Sequence, residues 1–169
     1  MIIISDTNIF VDLCNIGLLD SFFLLDEDFR TTKHIMMEIV QSEQQEKIFS
    51  YAANGKLLVK SFDLPELILL SEYKSECSSR LSESDVSVIF YGKQTRGVIM
   101  TGDNSLRKKA ESEGLEVHGI LYIILRLFQS SIITSETANY ALTKLTETNP
   151  WLPKSEIDKI MQTILIEKK

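Results

Sequence analysis

MIIISDTN, residues 1–8, is the stretch whose reading decides the fold. Ile2, Ile3 and Ile4 form an unbroken β-branched run. Such a run suits a strand buried on both faces, the habit of a parallel sheet. The run stops at a carboxylate, Asp6, which is followed by Thr7 and Asn8. Open α/β sheets hold their ligands beyond the carboxyl ends of the strands. An aspartate there raises the question of whether acids later in the chain converge on it.

Outward from this stretch, apolar spacing predicts a helix over Thr7–Cys14, interrupted by Gly17, and a short apolar helix over Leu18–Leu25. A short strand is expected at Phe29–Thr31. Thr31 or Thr32 then caps a helix running to about Val40, and a more polar helix over Gln41–Ala53 ends at Asn54-Gly55. Leu57–Phe62 reads as a strand, Pro65–Ser78 as a helix opened by proline, and Ser82–Gln94 as another helix. Val98–Thr101 and Leu115–His118 read as buried strands flanking a helix over Asp103–Glu113. A long apolar helix runs from Gly119 to about Phe128. Helices follow at 134–147 and 153–167, with Pro150–Pro153 as the turn between them. This alternation argues for a three-layer α/β domain with a mostly parallel sheet, without internal repeats.

The 169 residues suffice for one domain with a real core, and 44% hydrophobic with 25% charged residues is an ordinary globular mixture. A net charge of −6 argues against general attraction to polyanions, so nucleic-acid binding would need local basic groups or bound cations. Cys14 and Cys77 match no metal spacing and read as reduced core thiols. The apolar start is too short for a signal peptide and lacks a positive n-region, and no stretch has the length of a membrane span. A cytoplasmic protein is expected.

Four carboxylates stand out by position. Asp6 ends the first strand, Glu38 lies on the helix after the second, Asp85 lies in the first turn of the helix from Ser82, and Asp103 follows Val98–Thr101. Each has a plainer explanation. Ser82-Glu83-Ser84-Asp85 fits a capping box, Asp103 fits an N-cap, and Glu38 fits a solvated helix flank. Asp6 is the hardest to explain that way. Gathered together, four acids would repel one another unless cations neutralised them. Carboxylate oxygens without histidine or cysteine suit Mg²⁺ or Mn²⁺, one or two ions about 3.5–4 Å apart when two are bound.

On these residues the chain resembles the PIN-domain metal-dependent ribonucleases, including the toxin members of bacterial toxin–antitoxin pairs. The resemblance rests on Ile2–Asn8, the helix Thr32–Val40 carrying Glu38, Leu81-Ser-Glu-Ser-Asp85 opening a helix, and Met100-Thr-Gly-Asp103-Asn104. It continues through Arg107–Gly119 and the apolar helix that follows, in the family's order. It implies an α/β/α sandwich over residues 1–130, with 131–169 as a C-terminal helical extension packed on the same domain. It implies a Mg²⁺- or Mn²⁺-dependent endoribonuclease with Asp6, Glu38, Asp85 and Asp103 as catalytic acids. Asp6, Asp85, Asp103 and Asn104 are the metal ligands it implies; Asn104 stands where many members have a further acid and offers a carbonyl oxygen without charge. Asn8 takes the place of the residue bracing the first aspartate. Implied partners are RNA, with a cognate antitoxin and a homodimer left open, and no membrane.

Lys33, His34, Arg107, Lys108 and Lys109 are the basic groups near these acids; Lys33 and Arg107 are the candidates for RNA phosphates, against a solvated-face reading. His118 reads as structural. The aromatics fall in apolar runs and form no exposed stacking platform. Two other functions stay open. A phosphoacceptor domain would want a second aspartate where Asn8 stands. A catalytically silent PIN-like module would bind protein or RNA without cutting.

Overall fold

The computed structural model describes residues 1–149 and 152–167. Five strands form one sheet: β1 (Ile2–Ser5), β2 (Asp28–Thr32), β3 (Leu57–Lys60), β4 (Val98–Met100) and β5 (Val117–His118). Their order is β3-β2-β1-β4-β5, and every pairing is parallel. The isoleucine run therefore occupies the central strand, where Ile3 and Ile4 are 2% and 0% exposed. Ile3 registers with Val98, Ile4 with Ile99 and Ser5 with Met100. The amide of Asp6 adds one more bond, donating to the Met100 carbonyl at 3.0 Å. Strand order runs outward from β1 in both directions. The carboxyl ends of β1 and β4 thus form a topological switch point, where such sheets open a crevice. The fold class is the expected α/β sandwich on a parallel sheet.

The helices are α1 (Thr7–Ile16), α2 (Leu19–Phe22), α3 (Lys33–Glu38), α4 (Ser42–Ala53), α5 (Leu64–Glu76), α6 (Glu83–Thr95), α7 (Asn104–Ser112), α8 (Ile120–Gln129), α9 (Ser135–Thr148) and α10 (Lys154–Glu167). The chain divides into two compact units. The first, Met1–Phe10 with Glu27–His118, holds the whole sheet, α3 to α7 and the start of α1. Within it α6 lies on β1, β2 and β4 through buried Val86, Val88 and Ile89. Gly97 leads into β4 because a Cβ there would stand 2.8 Å from Cδ1 of Ile4.

The second unit, Val11–Asp26 with the chain from Gly119 onward, is helical. In it α8 buries Ile120, Ile123, Ile124 and Leu127 and packs on α9 and α10. Asp12 is buried, accepts from Asn149 at 3.3 Å, and is held above the usual carboxylate range by burial.

Among the expected boundaries that differ, three do so for a clear local reason. The helix after β2 ends at Glu38 rather than Val40, because Ile39 turns extended (φ −79°, ψ 96°) to bury its side chain. Its carbonyl goes to the Gln45 side chain at 3.0 Å, and Val40 is left 83% exposed. The third strand in chain order stops at Lys60, because Asp63 and Glu66 close a capping box that starts α5. The last strand shrinks to Val117–His118, since the Leu115 amide is taken by the Ala110 carbonyl at the end of α7. Cys14 and Cys77 form no disulfide among the described residues, and both are half-buried rather than in the core. Of the expected Pro150–Pro153 turn, Pro150 and Trp151 lie outside the described residues.

Truncating Ile4 to Ala removes methyl groups from the fully buried centre of the sheet, and should lower the unfolding free energy by about 2–5 kcal/mol. Leu58→Ala, on an edge strand with Leu58 49% exposed, should cost clearly less. Urea denaturation of both variants checks the ranking.

Candidate active site

The end of β1 delivers Asp6 to the switch point as a nearly closed-off carboxylate, 3% exposed. Burying a charge requires hydrogen bonds, and three donors supply them. The Thr7 amide donates to Oδ1 at 2.6 Å, while the Asn8 side-chain amide and the Thr101 hydroxyl donate to Oδ2 at 2.6 and 2.7 Å. The Thr101 and Thr7 bonds hold the carboxyl down. Burial outweighs them, and Asp85 and Glu38 add like charge, so the carboxyl is pushed up to about 7.

Asn8 does more than donate to Asp6. Its Oδ1 accepts the Gly102 amide at 2.8 Å, so one side chain ties Asp6 to the loop leaving β4. Thr101, completely buried, is the second tie. Its hydroxyl donates to Asp6 and accepts the Asp103 amide at 3.0 Å. Thr7 is a third: its hydroxyl donates to Oε2 of Glu38 at 2.7 Å, linking the last residue of α3 to the residue after Asp6. Sequence reasoning missed both threonines. The only available signal was a hydroxyl one residue after Asp6 and another two residues before Asp103.

Asp85 and Asp103 both carry out the plainer roles weighed for them. Asp85 closes the capping box of α6, with Oδ2 accepting the Ser82 amide at 2.7 Å and its own amide donating to the Ser82 hydroxyl at 3.0 Å. Asp103 caps α7 through the Leu106 amide at 2.7 Å. Capping does not take them away from the cluster. Burial raises the Asp85 carboxyl against the pull of its Ser82 bonds, and Asp103 and Glu38 raise it further. Asp85 and Glu38 thus act on Asp6, and Asp103 and Glu38 act on Asp85. Below them lies a layer of buried hydroxyls: Thr31 donates to the Ser5 carbonyl at 2.9 Å, and Thr32 and Ser87 are paired at 2.8 Å.

The basic and neutral candidates are placed differently. Lys33 opens α3 and is exposed, as is Asn104 at the start of α7. His34 stands 3.8 Å from Glu83 and against the Phe62 ring. The Arg107 guanidinium is engaged by the carbonyls of Thr101 at 3.1 Å and Val117 at 3.2 Å.

The donor set is chemically suited to a hard divalent cation. It is all oxygen, and among the described residues no lysine or arginine pairs with Asp6, Glu38, Asp85 or Asp103. It is not a ready-made cage, since among the described residues no three Asp, Glu, His or Cys side chains are grouped so as to enclose an ion.

A strand-end aspartate, an acid in the capping box of α6 and an acid capping α7 at the carboxyl edge of a parallel five-stranded sheet define an α/β domain with acids at its switch point. A PIN-domain family model matches residues 2–165, and the chain belongs to the PIN-domain family. Among solved structures it is similar to VapBC-1 from nontypeable Haemophilus influenzae, at 14% identity over 71% of this chain and 98% of that one, with a TM-score of 0.50. FitAcB from Neisseria gonorrhoeae aligns at 16% identity over 68% and 95%, TM-score 0.43. FitAB bound to an IR36 DNA fragment aligns at 17% over 70% and 94%, TM-score 0.43. Among curated proteins none matches.

The Asp6 carboxyl keeps its proton to about pH 7 when folded, against an ordinary value of 3.8 once the chain unfolds. Between those values the folded state binds more protons, so stability falls as pH rises, levelling off above about 7. Asp85 and Asp12 shift in the same direction. The lowered acids, such as Glu113 at about 2, have spent their effect by about pH 5. Metal-free protein should therefore melt at a lower temperature at pH 7.5 than at pH 5. Asp6→Asn should flatten that slope, with a difference of about 1–3 kcal/mol from wild type; thermal scans in chelator read both.

Proposed function

We infer that this PIN-domain protein is a Mg²⁺- or Mn²⁺-dependent endoribonuclease, and the toxin member of a toxin–antitoxin pair. The observation that carries the reading is the Asp6 carboxyl: raised first by its burial and then by Asp85 and Glu38, and among the described residues without a cationic side chain to balance it. Structural carboxylates are normally paired or solvated when a fold buries them. A site that gathers uncompensated carboxylates at a switch point fits a cation-dependent reaction on an anionic substrate.

In this reading Asp6, Asp85 and Asp103 hold the ion, with the Asn104 carbonyl as a neutral fourth donor. A divalent cation, when bound, stabilises charge on the phosphoryl oxygens and lowers the pKa of a coordinated water. The remaining work belongs to the chain. Asn8 and Thr101 fix the face that Asp6 turns to the crevice. Thr7 holds Glu38 at the rim, where its carboxylate accepts a proton from a water or a ribose hydroxyl. Lys33, exposed at the start of α3, meets a backbone phosphate. RNA, a cognate antitoxin and a second copy of the chain are the partners that go with this function. The exposed Leu64, Ile68 and Leu69 of α5 are apolar surface of the kind such partners cover. No helix among the described residues is long and apolar enough to cross a membrane.

A second reading is favoured by one observation: the acids are coupled but, among the described residues, do not form an enclosing set, and Asn104 brings no charge. On that reading the domain binds without cutting, and millimolar Mg²⁺ or Mn²⁺ leaves its melting temperature unchanged.

Purified protein should cleave a mixed RNA pool in Mn²⁺ or Mg²⁺ and stop in chelator. Asp6→Asn should lower turnover about 100-fold or more while keeping the wild-type circular dichroism spectrum. Cleavage that survives chelator and the substitution alike would rule the reading out.

A further inference from the structure

We propose that Arg107 is a positioning residue for the acidic site, acting through the peptide that joins Thr101 to Gly102, rather than a contact for substrate. The proposal rests on the nuclease reading for its consequence, but its geometry is independent of it. Strands β4 and β5 are only three and two residues long, and their last shared bond runs from the Thr101 amide to the His118 carbonyl at 2.9 Å. Arg107, one turn into α7, joins the ends of the two strands with a two-pronged guanidinium. Nη1 donates to the Val117 carbonyl at 3.2 Å and Nη2 to the Thr101 carbonyl at 3.1 Å. Glu111 stands 3.7 Å from Nη1, one turn further along α7.

The Thr101 carbonyl and the Gly102 amide belong to one rigid plane. Arg107 grips that plane at its oxygen, and Asn8 grips it at its nitrogen, 2.8 Å from the Gly102 amide. Each grip leads to a carboxylate. Asn8 donates from its other end to Asp6, and the Thr101 hydroxyl touches both Asp6 and the Asp103 amide. Rotating this one peptide would turn Thr101 and Asn8 together and move Asp6 relative to Asp103. A guanidinium is the side chain that can hold two carbonyls in a fixed fork; a lysine keeps the charge but not the fork. The assignment also accounts for the engaged state of Arg107, which a group kept for phosphate would leave available.

Arg107→Lys separates the two roles. With the fork lost and the charge kept, the Gly102 amide should exchange with solvent at least about 10-fold faster than in wild type, measured by NMR. Mn²⁺ affinity should weaken about 10–100-fold, and kcat should fall in step. RNA affinity in chelator should stay within about twofold, with an unchanged salt dependence. Glu111→Gln, which removes only the outer ion pair, should leave all four readouts at wild-type values. Loss confined to RNA affinity, or Gly102 exchange and Mn²⁺ affinity unchanged, would overturn the proposal. If Arg107→Lys does not fold, the wild-type guanidinium decides. Separate, slowly exchanging Nη signals support the clamp, and one averaged signal contradicts it. Wild-type protein that cuts no RNA would end the nuclease reading while leaving Gly102 exchange to judge this one.

Discussion

The arrangement depends on one constraint: a carboxylate is buried at the end of the central strand and must be kept hydrogen-bonded there. Asp6 meets it with donors drawn from separated parts of the chain, the Thr7 amide and Asn8 beside it and Thr101 from the end of β4. That demand dictates much of what surrounds it. The β1–β4 register must bring Thr101 opposite, the loop after β4 must turn at Gly102 to reach Asn8, and Asp103 must cap α7. Even so, the bonds do not offset burial and the neighbouring acids, and the carboxyl rests near 7. A fold selected only for stability has better residues for that position. The residual cost points to use, the usual reason for a strongly perturbed group in a crevice.

Capping and clustering turn out to be one device. Asp6 precedes α1, Asp85 sits in the first turn of α6, and Asp103 caps α7. Helix N-termini present free amides and positive dipole ends, so each of these acids is given local support. Glu38 is the exception. It lies at the end of α3, where the dipole opposes it, and relies on the Thr7 hydroxyl and on exposure to solvent. Helix starts at the carboxyl edge of a parallel sheet thus support acids that, among the described residues, have no neutralising lysine or arginine.

The isoleucine run and Asp6 were legible because residue type and position carried the same message: β-branched chains want a buried strand, and a charge there needs a reason. Asp103 was legible for the same cause, following a short apolar strand directly. Asp85 reads from the sequence as either a cap or a site residue; the structure shows the capping box of α6, with Asp103 and Glu38 raising the same carboxyl after burial. Thr101 was not legible, because its role comes from strand register across 95 residues and not from a local pattern. Arg107 was read by its charge, while its partners are main-chain carbonyls, which leave no trace in residue identity. The end of α3 was misjudged because the apolar periodicity continues through Ile39 and Val40, and periodicity does not reveal that one residue turns inward while the next is left in water.

Everything functional turns on whether Asp6, Asp85 and Asp103 share one electrostatic neighbourhood able to hold a cation. The most direct measurement follows side-chain carboxyl carbons by NMR in metal-free protein through a pH titration, then through addition of Mn²⁺ well below one equivalent. Asp6 should titrate near 7, and the Asp6, Asp85 and Asp103 carboxyls should broaden together before any others. An Asp6 titrating in the ordinary carboxylate range, with Mn²⁺ broadening scattered over surface acids, would contradict it.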